Sequence, residues 1–215
     1  MKNKIALCIA FLVTTTFANA QDNKSSSSSS GGQCFDESTK IINIGVAFGG
    51  YYYRYNRGLG YTYRITPAIN LSYEQALKNK VGPGFIGLGA YFGYQHASLR
   101  YNDYYYNGNQ YYYRHSWNYM LISLRGAYHA DALNFEEGEV YFGATVGVRL
   151  QTYNYESNSL DPNKDNYQIS GGSVYPSSSV FVGGRWYFTN KIGVFGEISY
   201  GYSYPYLTAG LSIKL

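Results

Sequence analysis

The chain has 215 residues, with 17 Lys and Arg against 13 Asp and Glu, 19% aromatic residues, 28 Tyr and 25 Gly. That length suits one domain of moderate size. A formal charge of +4 leaves no basic stripe able to neutralise phosphates, which excludes a nucleic-acid binder driven by bulk charge, and the Tyr excess does not fit an aliphatic water-soluble core.

Lys2 and Lys4, the apolar run Ile5–Val13 and the small residues Ala18 and Ala20 around Asn19 form the three parts of an export signal. They predict removal of residues 1–20, leaving 15 basic residues against 13 acidic ones, a charge of +2. Cys8 lies inside the apolar run rather than after it, which argues against lipidation. Ser25–Ser30 and Gly31-Gly32 are low-complexity, so residues 21–39 are expected to form a flexible periplasmic segment. Cys34 is then the single cysteine left, which excludes a disulfide framework. Beyond Ala20 no run approaches the ~18 apolar residues of a spanning helix.

From Lys40 onward the sequence alternates. In 41–50, Ile42, Ile44, Val46 and Phe48 oppose Asn43, Gly45, Ala47 and Gly49. In 139–154, Val140, Phe142, Ala144, Val146 and Val148 oppose Tyr141, Gly143, Thr145, Gly147 and Arg149. This two-residue period predicts strands with chemically distinct faces. The expected strands are 41–50, 67–77, 84–100, 112–129, 139–154, 178–189, 192–203 and 205–215, an all-β chain. Connections 78–82, 130–138 and 190–191 are short or modest. Those at 51–66, 101–111 and 156–177 are longer and rich in Tyr, Asn and Gly, and the one near 203–205 is short. Short turns on one side and long loops on the other are the pattern of an eight-stranded antiparallel transmembrane β-barrel, with residues 40–215 as the barrel domain.

One strand face is apolar. The other carries few ions of mixed sign, as expected of a polar lumen behind a lipid-facing band. Glu74, Arg125, Arg149, Arg185 and Glu197 are the expected lumenal network, with an ion pair between Arg185 and Glu197 across the turn at 190–191. Tyr51, Tyr52, Tyr53, Tyr104, Tyr105, Tyr106, Tyr111, Tyr112 and Tyr113 are expected in an interfacial girdle or in outer loops, where Tyr also suits recognition of a surface ligand.

Several segments resemble the small outer-membrane β-barrel family of OmpA/OmpX type: 66–74 (TPAINLSYE), 84–94 (GFIGLGAYFGY), 120–128 (MLISLRGAY), 139–147 (EVYFGATVG) and above all 183–215. The resemblance implies a monomer in the outer membrane of a Gram-negative bacterium, with its amino terminus in the periplasm. Its implied partners are outer-membrane lipids, the barrel-insertion machinery and periplasmic chaperones. Members of this family usually end in an aromatic residue, and Leu215 departs from that pattern. No appended peptidoglycan-binding domain is expected.

The expected role is structural, for membrane integrity, or interactive at the surface, with a side-chain-filled lumen. A narrow gated pore is the first alternative. A lipid hydrolase is the second: His96 and Ser98 share a strand face, and a hairpin centred on Gly108 would bring Asn118 opposite Ser98. The flanking residues match no hydrolase motif, and no enzyme is expected. His115 and His129 have no companions at metal-ligand spacing, so neither a metal nor a cofactor is expected.

Overall fold

The two-residue alternation is realised as nine strands among the described residues: β1 (Lys40–Phe48), β2 (Tyr61–Ile65), β3 (Ala68–Ala76), β4 (Gly84–Tyr106), β5 (Asn109–Asn134), β6 (Gly138–Ser157), β7 (Ser173–Tyr187), β8 (Ile192–Tyr202) and β9 (Leu207–Lys214). The computed structural model describes residues 34–49, 60–160, 168, 172–202 and 205–215, without the side chains of 103 and 104. The export signal, the Ser/Gly run, Tyr51, Tyr52 and Tyr53, and the Tyr104 side chain lie outside the described residues.

Every pairing is antiparallel. β1 pairs with β3 on one side and with β9 on the other, so the first and last strands close the sheet on itself. β2 and β3 both pair with β4 and form one interrupted wall strand, which gives a ring of eight positions. Closure removes the sheet edges within the ring, while among the described residues β2 and the outer part of β6 keep one open side above it.

The interruption falls at Thr66-Pro67, where Pro has no N–H to give the ladder. Thr66 fills the gap: its N–H donates to the His96 carbonyl at 3.0 Å, and its Oγ1 accepts from the His96 N–H at 3.1 Å. Residues 61–65, expected in a loop, therefore continue the wall.

The largest departure from expectation is the β4–β5 hairpin. Residues 101–111 were expected as a loop, but β4 and β5 run on to Tyr106 and Asn109, joined by the two-residue turn Asn107-Gly108. Both turn residues have positive φ, +49° and +77°, the backbone of a type I′ turn whose twist matches the strands. A bulge between Tyr101 and Tyr104 then shifts the register by one residue. Below it Ser98 stands opposite Ser116 and His96 opposite Asn118, rather than Ser98 opposite Asn118.

Closure also fixes which face is inside. Asn43, Ser72, Glu74, Arg125, Thr145, Arg185 and Ser212 are buried in the ring. Ile69, Leu124, Val146, Val180 and Ile198 point outward and are 61–71% exposed. This is the reverse of a water-soluble barrel, in which apolar side chains fill the interior. Smaller apolar clusters close the two ends of the lumen. Phe35, Ile41, Ala76 and Phe85 pack at the short-turn end, and Ala97, Leu99, Trp117, Tyr119 and Leu121 pack at the other.

Room for the polar interior comes from glycine. A Cβ at Gly183 would stand 2.7 Å from the Tyr141 ring and 2.8 Å from Glu197 Cγ. At Gly108 a Cβ would meet nothing within 4 Å, so only backbone strain opposes it. Two substitutions separate the causes. Gly183→Val should cost ~1–3 kcal/mol by overpacking, and Gly108→Ala about 1 kcal/mol through its left-handed backbone. Urea unfolding of the refolded protein in detergent micelles reads both.

Candidate functional site: a closed ion-pair cluster in the lumen

The alternation that sends aliphatic side chains outward sends every second residue of the same strands into the lumen. Near the short-turn end these residues are charged. Glu74 enters from β3, Arg125 and His129 from β5, Glu139 and Tyr141 from β6, Arg185 from β7 and Glu197 from β8, all of them buried.

Glu74 is the hub. Its Oε2 accepts from Arg185 Nη2 at 2.8 Å and lies 3.4 Å from Arg125 Nε, and its Oε1 lies 2.5 Å from His129 Nε2. The other imidazole nitrogen, Nδ1, is 2.5 Å from Glu139 Oε2, and Glu139 Oε1 accepts from Arg185 Nη1 at 2.6 Å. Glu197 binds Arg125 through both carboxylate oxygens, at 2.6 and 3.0 Å, and accepts the Tyr141 hydroxyl at 2.8 Å. Arg125 also lies over the Phe181 ring at 3.9 Å, and Arg185 over Tyr141 at 4.2 Å.

The chemistry of this arrangement is charge closure. Both nitrogens of His129 face carboxylate oxygens, and an imidazolium, with a proton on each nitrogen, donates to both. Three carboxylates (Glu74, Glu139, Glu197) then balance two guanidiniums and one imidazolium. Buried ions persist only when paired and hydrogen-bonded in this way.

The structure brings four of the five expected lumenal residues together: Glu74, Arg125, Arg185 and Glu197. Arg149 sits apart, over the rings of Tyr175 at 4.4 Å and Tyr119 at 5.5 Å. The expected Arg185–Glu197 pair is not formed. Glu197 stands opposite Gly183 and Arg185 opposite Phe195, two residues out of step, and each reaches across the lumen instead: Arg185 to Glu74 and Glu139, Glu197 to Arg125. Sequence reasoning missed His129, Glu139 and Tyr141 as members. Strand parity would have found them, because His129 is in phase with Arg125, and Glu139 and Tyr141 with Arg149.

The segment before β1 caps this cluster. The fold was expected to begin near Lys40, but Cys34–Thr39 is already in place. The Cys34 N–H donates to the Phe135 carbonyl at 2.8 Å. Asn134 Oδ1 accepts from the N–H groups of Cys34 and Phe35 at 2.9 and 3.2 Å, and its Nδ2 donates to the Phe35 carbonyl at 2.7 Å. These bonds hold the fully buried Phe35 ring stacked on His129, centroids 3.5 Å apart and planes 5° from parallel. Burial pushes the neighbouring Cys34 thiol up to about 12.

The opposite end of the lumen is filled by rings. His115 Nδ1 lies 2.7 Å from the Tyr153 hydroxyl and the ring packs against Trp117. The Tyr61 and Tyr113 hydroxyls are 3.1 Å apart. Of the Tyr residues expected in outer loops or a girdle, Tyr105, Tyr106, Tyr111, Tyr112 and Tyr113 all lie in strands, and Tyr113 is buried inside. The hydrolase set is not assembled as the spacing suggested. His96 Nδ1 lies 2.8 Å from Asn118 Oδ1, but Ser98 faces Ser116, and among the described residues no hydrogen bond joins Ser98 to His96.

No protein-family model matches the chain, and no curated protein matches it. Solved structures do. Ail, the attachment invasion locus protein of Yersinia pestis, in complex with the heparin analogue sucrose octasulfate, is 10% identical, with a TM-score of 0.44, over 83% of this chain and 99% of that one. The N-terminal β-barrel domain of Pseudomonas aeruginosa OprF is 16% identical, with a TM-score of 0.40, over 83% and 96%. Ail in a phospholipid bilayer nanodisc is 14% identical, with a TM-score of 0.37, over 83% and 100%.

Two outcomes follow from the geometry. Glu74→Ala leaves two buried guanidiniums and an imidazolium short of a carboxylate and should cost ~3–5 kcal/mol, whereas Lys80→Gln, which removes the exposed Lys80–Asp131 pair, should cost under about 1 kcal/mol. Both are read by urea unfolding. The raised Cys34 thiol keeps its proton at pH 8, so disulfide-exchange reagents should label it slowly in the folded chain and quickly in urea. Because burial favours the neutral thiol, its contribution to stability is complete below pH 9.0 and is lost as the pH climbs toward about 12.

Proposed function

We propose that this chain is an integral β-barrel of the bacterial outer membrane, with a lumen filled by its own side chains and a structural or surface-interaction role. One observation carries the reading: the ring encloses a charge-balanced polar cluster and turns its exposed aliphatic side chains outward. In water that distribution is costly, because the outward band would stay hydrated. In a bilayer it is favourable, since the lipid takes the band and the ladder is closed around the ring.

Further features agree with it. No helix among the described residues is long and apolar enough to cross a membrane, but the barrel strands meet the ~9–11 residues a tilted spanning strand needs, or come close to it. The short turns and the Cys34–Thr39 segment share one end, which is the periplasmic end in this reading. The extended β4–β5 hairpin and β2 then stand above the outer surface, available for surface contacts. Membrane lipid is the barrel's solvent, and the chain acts as a monomer without a catalytic step.

A side-chain-filled lumen is favoured over a gated pore. The Phe35–His129 stack and the ion-pair cluster occupy one end and the aromatic rings the other. Membrane fractionation with gel mobility before and after boiling tests the placement: the protein should partition with outer membranes and run as a compact, heat-modifiable band. A soluble periplasmic protein without a mobility shift would overturn it. Planar-bilayer recording tests the filling. Conductance should be negligible in the wild type and remain so in Arg185→Ala; steps opened by that variant would favour the pore.

A further inference from the structure

The outward face of the β4–β5–β6 extension is unlike the band beneath it. Outward residues on β4 and β5 pass from Phe92 and Ile122 to Tyr94 and Met120, and then the chemistry changes. A row of His96, Asn118 and Thr152 comes first, followed by Arg64, Ser98, Ser116 and Asn154, and then by Thr62, Arg100, Arg114 and Glu156. Among the described side chains, three arginines thus share one outward face with one carboxylate, Glu156, whose oxygen is 3.4 Å from Arg114 Nη1.

Two details show that positive charge is concentrated on this face. Arg100 and Arg114 stand directly opposite each other across the ladder, an arrangement of like charges that destabilises a strand pair. Both guanidiniums gather over the Tyr112 ring, at 4.0 and 5.8 Å, on the side away from the apolar band, so they reach lipid only by turning their stems down. The buried Arg100 Nε has no hydrogen-bond acceptor. Arg64 is exposed on the adjoining strand, with the Ser98 and Ser116 hydroxyls beside it in the same row.

Height selects the anion. The two arginine rows lie two and four residues above the His96–Asn118 row, about 5 and 10 Å along the barrel axis at ordinary strand rise and tilt. The polar headgroup layer adds ~5–8 Å beyond the hydrocarbon on each side, and arginine stems can reach down toward it. Guanidinium forks and hydroxyls are the donors that suit phosphate oxygens.

We propose that this face docks phosphate-bearing lipid headgroups of the leaflet around the barrel, with Arg64, Arg100 and Arg114 as the phosphate ligands. The inference rests on the membrane-barrel reading above. It assigns the outer hairpin a lipid-facing task and makes Glu156 a competitor for Arg114.

The test uses the full chain refolded in detergent micelles, with compact gel mobility before boiling as the check on folding. It is titrated with phosphatidic acid, with phosphatidylcholine of the same acyl chains and with inorganic phosphate, and bound copies are counted by native mass spectrometry. Phosphatidic acid should be retained in preference to phosphatidylcholine. Arg64→Gln and Arg100→Gln should each weaken it roughly fivefold, and Glu156→Gln should strengthen it. Arg64 is exposed, so its variant tests the face without endangering the fold. Equal retention of the two lipids, or an affinity unchanged in these variants, would overturn the inference, and so would inorganic phosphate competing as tightly as the lipid. A compact barrel indifferent to lipid phosphate refutes this inference alone. A chain that never reaches the compact form refutes the membrane-barrel reading and takes the inference with it.

Discussion

Glu74 sits at the centre of the closed sheet with two guanidiniums and an imidazolium around it, and none of these groups has water to turn to. Most other features of the barrel accommodate that constraint. Ions taken out of water repay their desolvation only with short, multiple contacts. The ring must therefore be narrow enough for side chains from β3, β5, β6, β7 and β8 to meet. Glycines supply the space: Gly183 leaves room for Tyr141 and Glu197, and a Cβ at Gly87 would collide with the Glu74 carboxylate. Phe35 completes the cluster from outside the wall, laying an apolar ring on the imidazolium and sealing it from the short-turn end.

The same constraint explains the outer surface. Where the interior is occupied by polar and charged groups, the aliphatic residues of the strands face outward, and only the ends of the lumen take a few of them, such as Ile41 and Leu121, inside. Two-residue alternation converts a charged core into an apolar exterior without any long hydrophobic run in the sequence. The composition, aromatic and rich in Gly with modest charge, follows from that geometry. Among the described residues Tyr is distributed among four environments: the lumen, as Tyr141; the packed rings of the outer end, as Tyr113 and Tyr153; the outward face of the ring, as Tyr200; and the exposed extension, as Tyr105.

Much of the fold was legible because alternation is a local property. Lys40–Phe48, Gly138–Ser157 and Leu207–Lys214 show their faces in sequence, and closure between β1 and β9 follows from an even number of wall positions. The β4–β5 extension was hidden because its Tyr- and Asn-rich composition resembles a loop, whereas β-propensity and the Asn107-Gly108 turn favour a continued hairpin. The one-residue bulge near Tyr101 could not be read from spacing, and together with a turn centred between Asn107 and Gly108 instead of on Gly108 it moved Asn118 from Ser98 to His96. Ion pairing was the least legible feature. Adjacent strands suggested Arg185 with Glu197, but in a narrow closed ring a side chain can reach the far wall as readily as its neighbour. Parity gives the face a residue occupies, not its partner. Phe35 lay beyond reach for another reason: a short segment after a Ser/Gly run carries no periodicity, and its anchor, Asn134, is about a hundred residues away, a loop-closure distance on which local pattern is silent.

The two tryptophans report directly on the inverted polarity, since Trp186 points outward and is 57% exposed while Trp117 points inward and is 3% exposed. Single-tryptophan forms, Trp117→Phe and Trp186→Phe, can be reconstituted into bilayers whose acyl chains carry bromine, a contact quencher of indole fluorescence. The expected result is strong quenching of Trp186 in Trp117→Phe and little quenching of Trp117 in Trp186→Phe. Trp186 untouched by brominated lipid yet quenched by aqueous iodide would contradict a lipid-facing exterior, and with it the proposed membrane barrel.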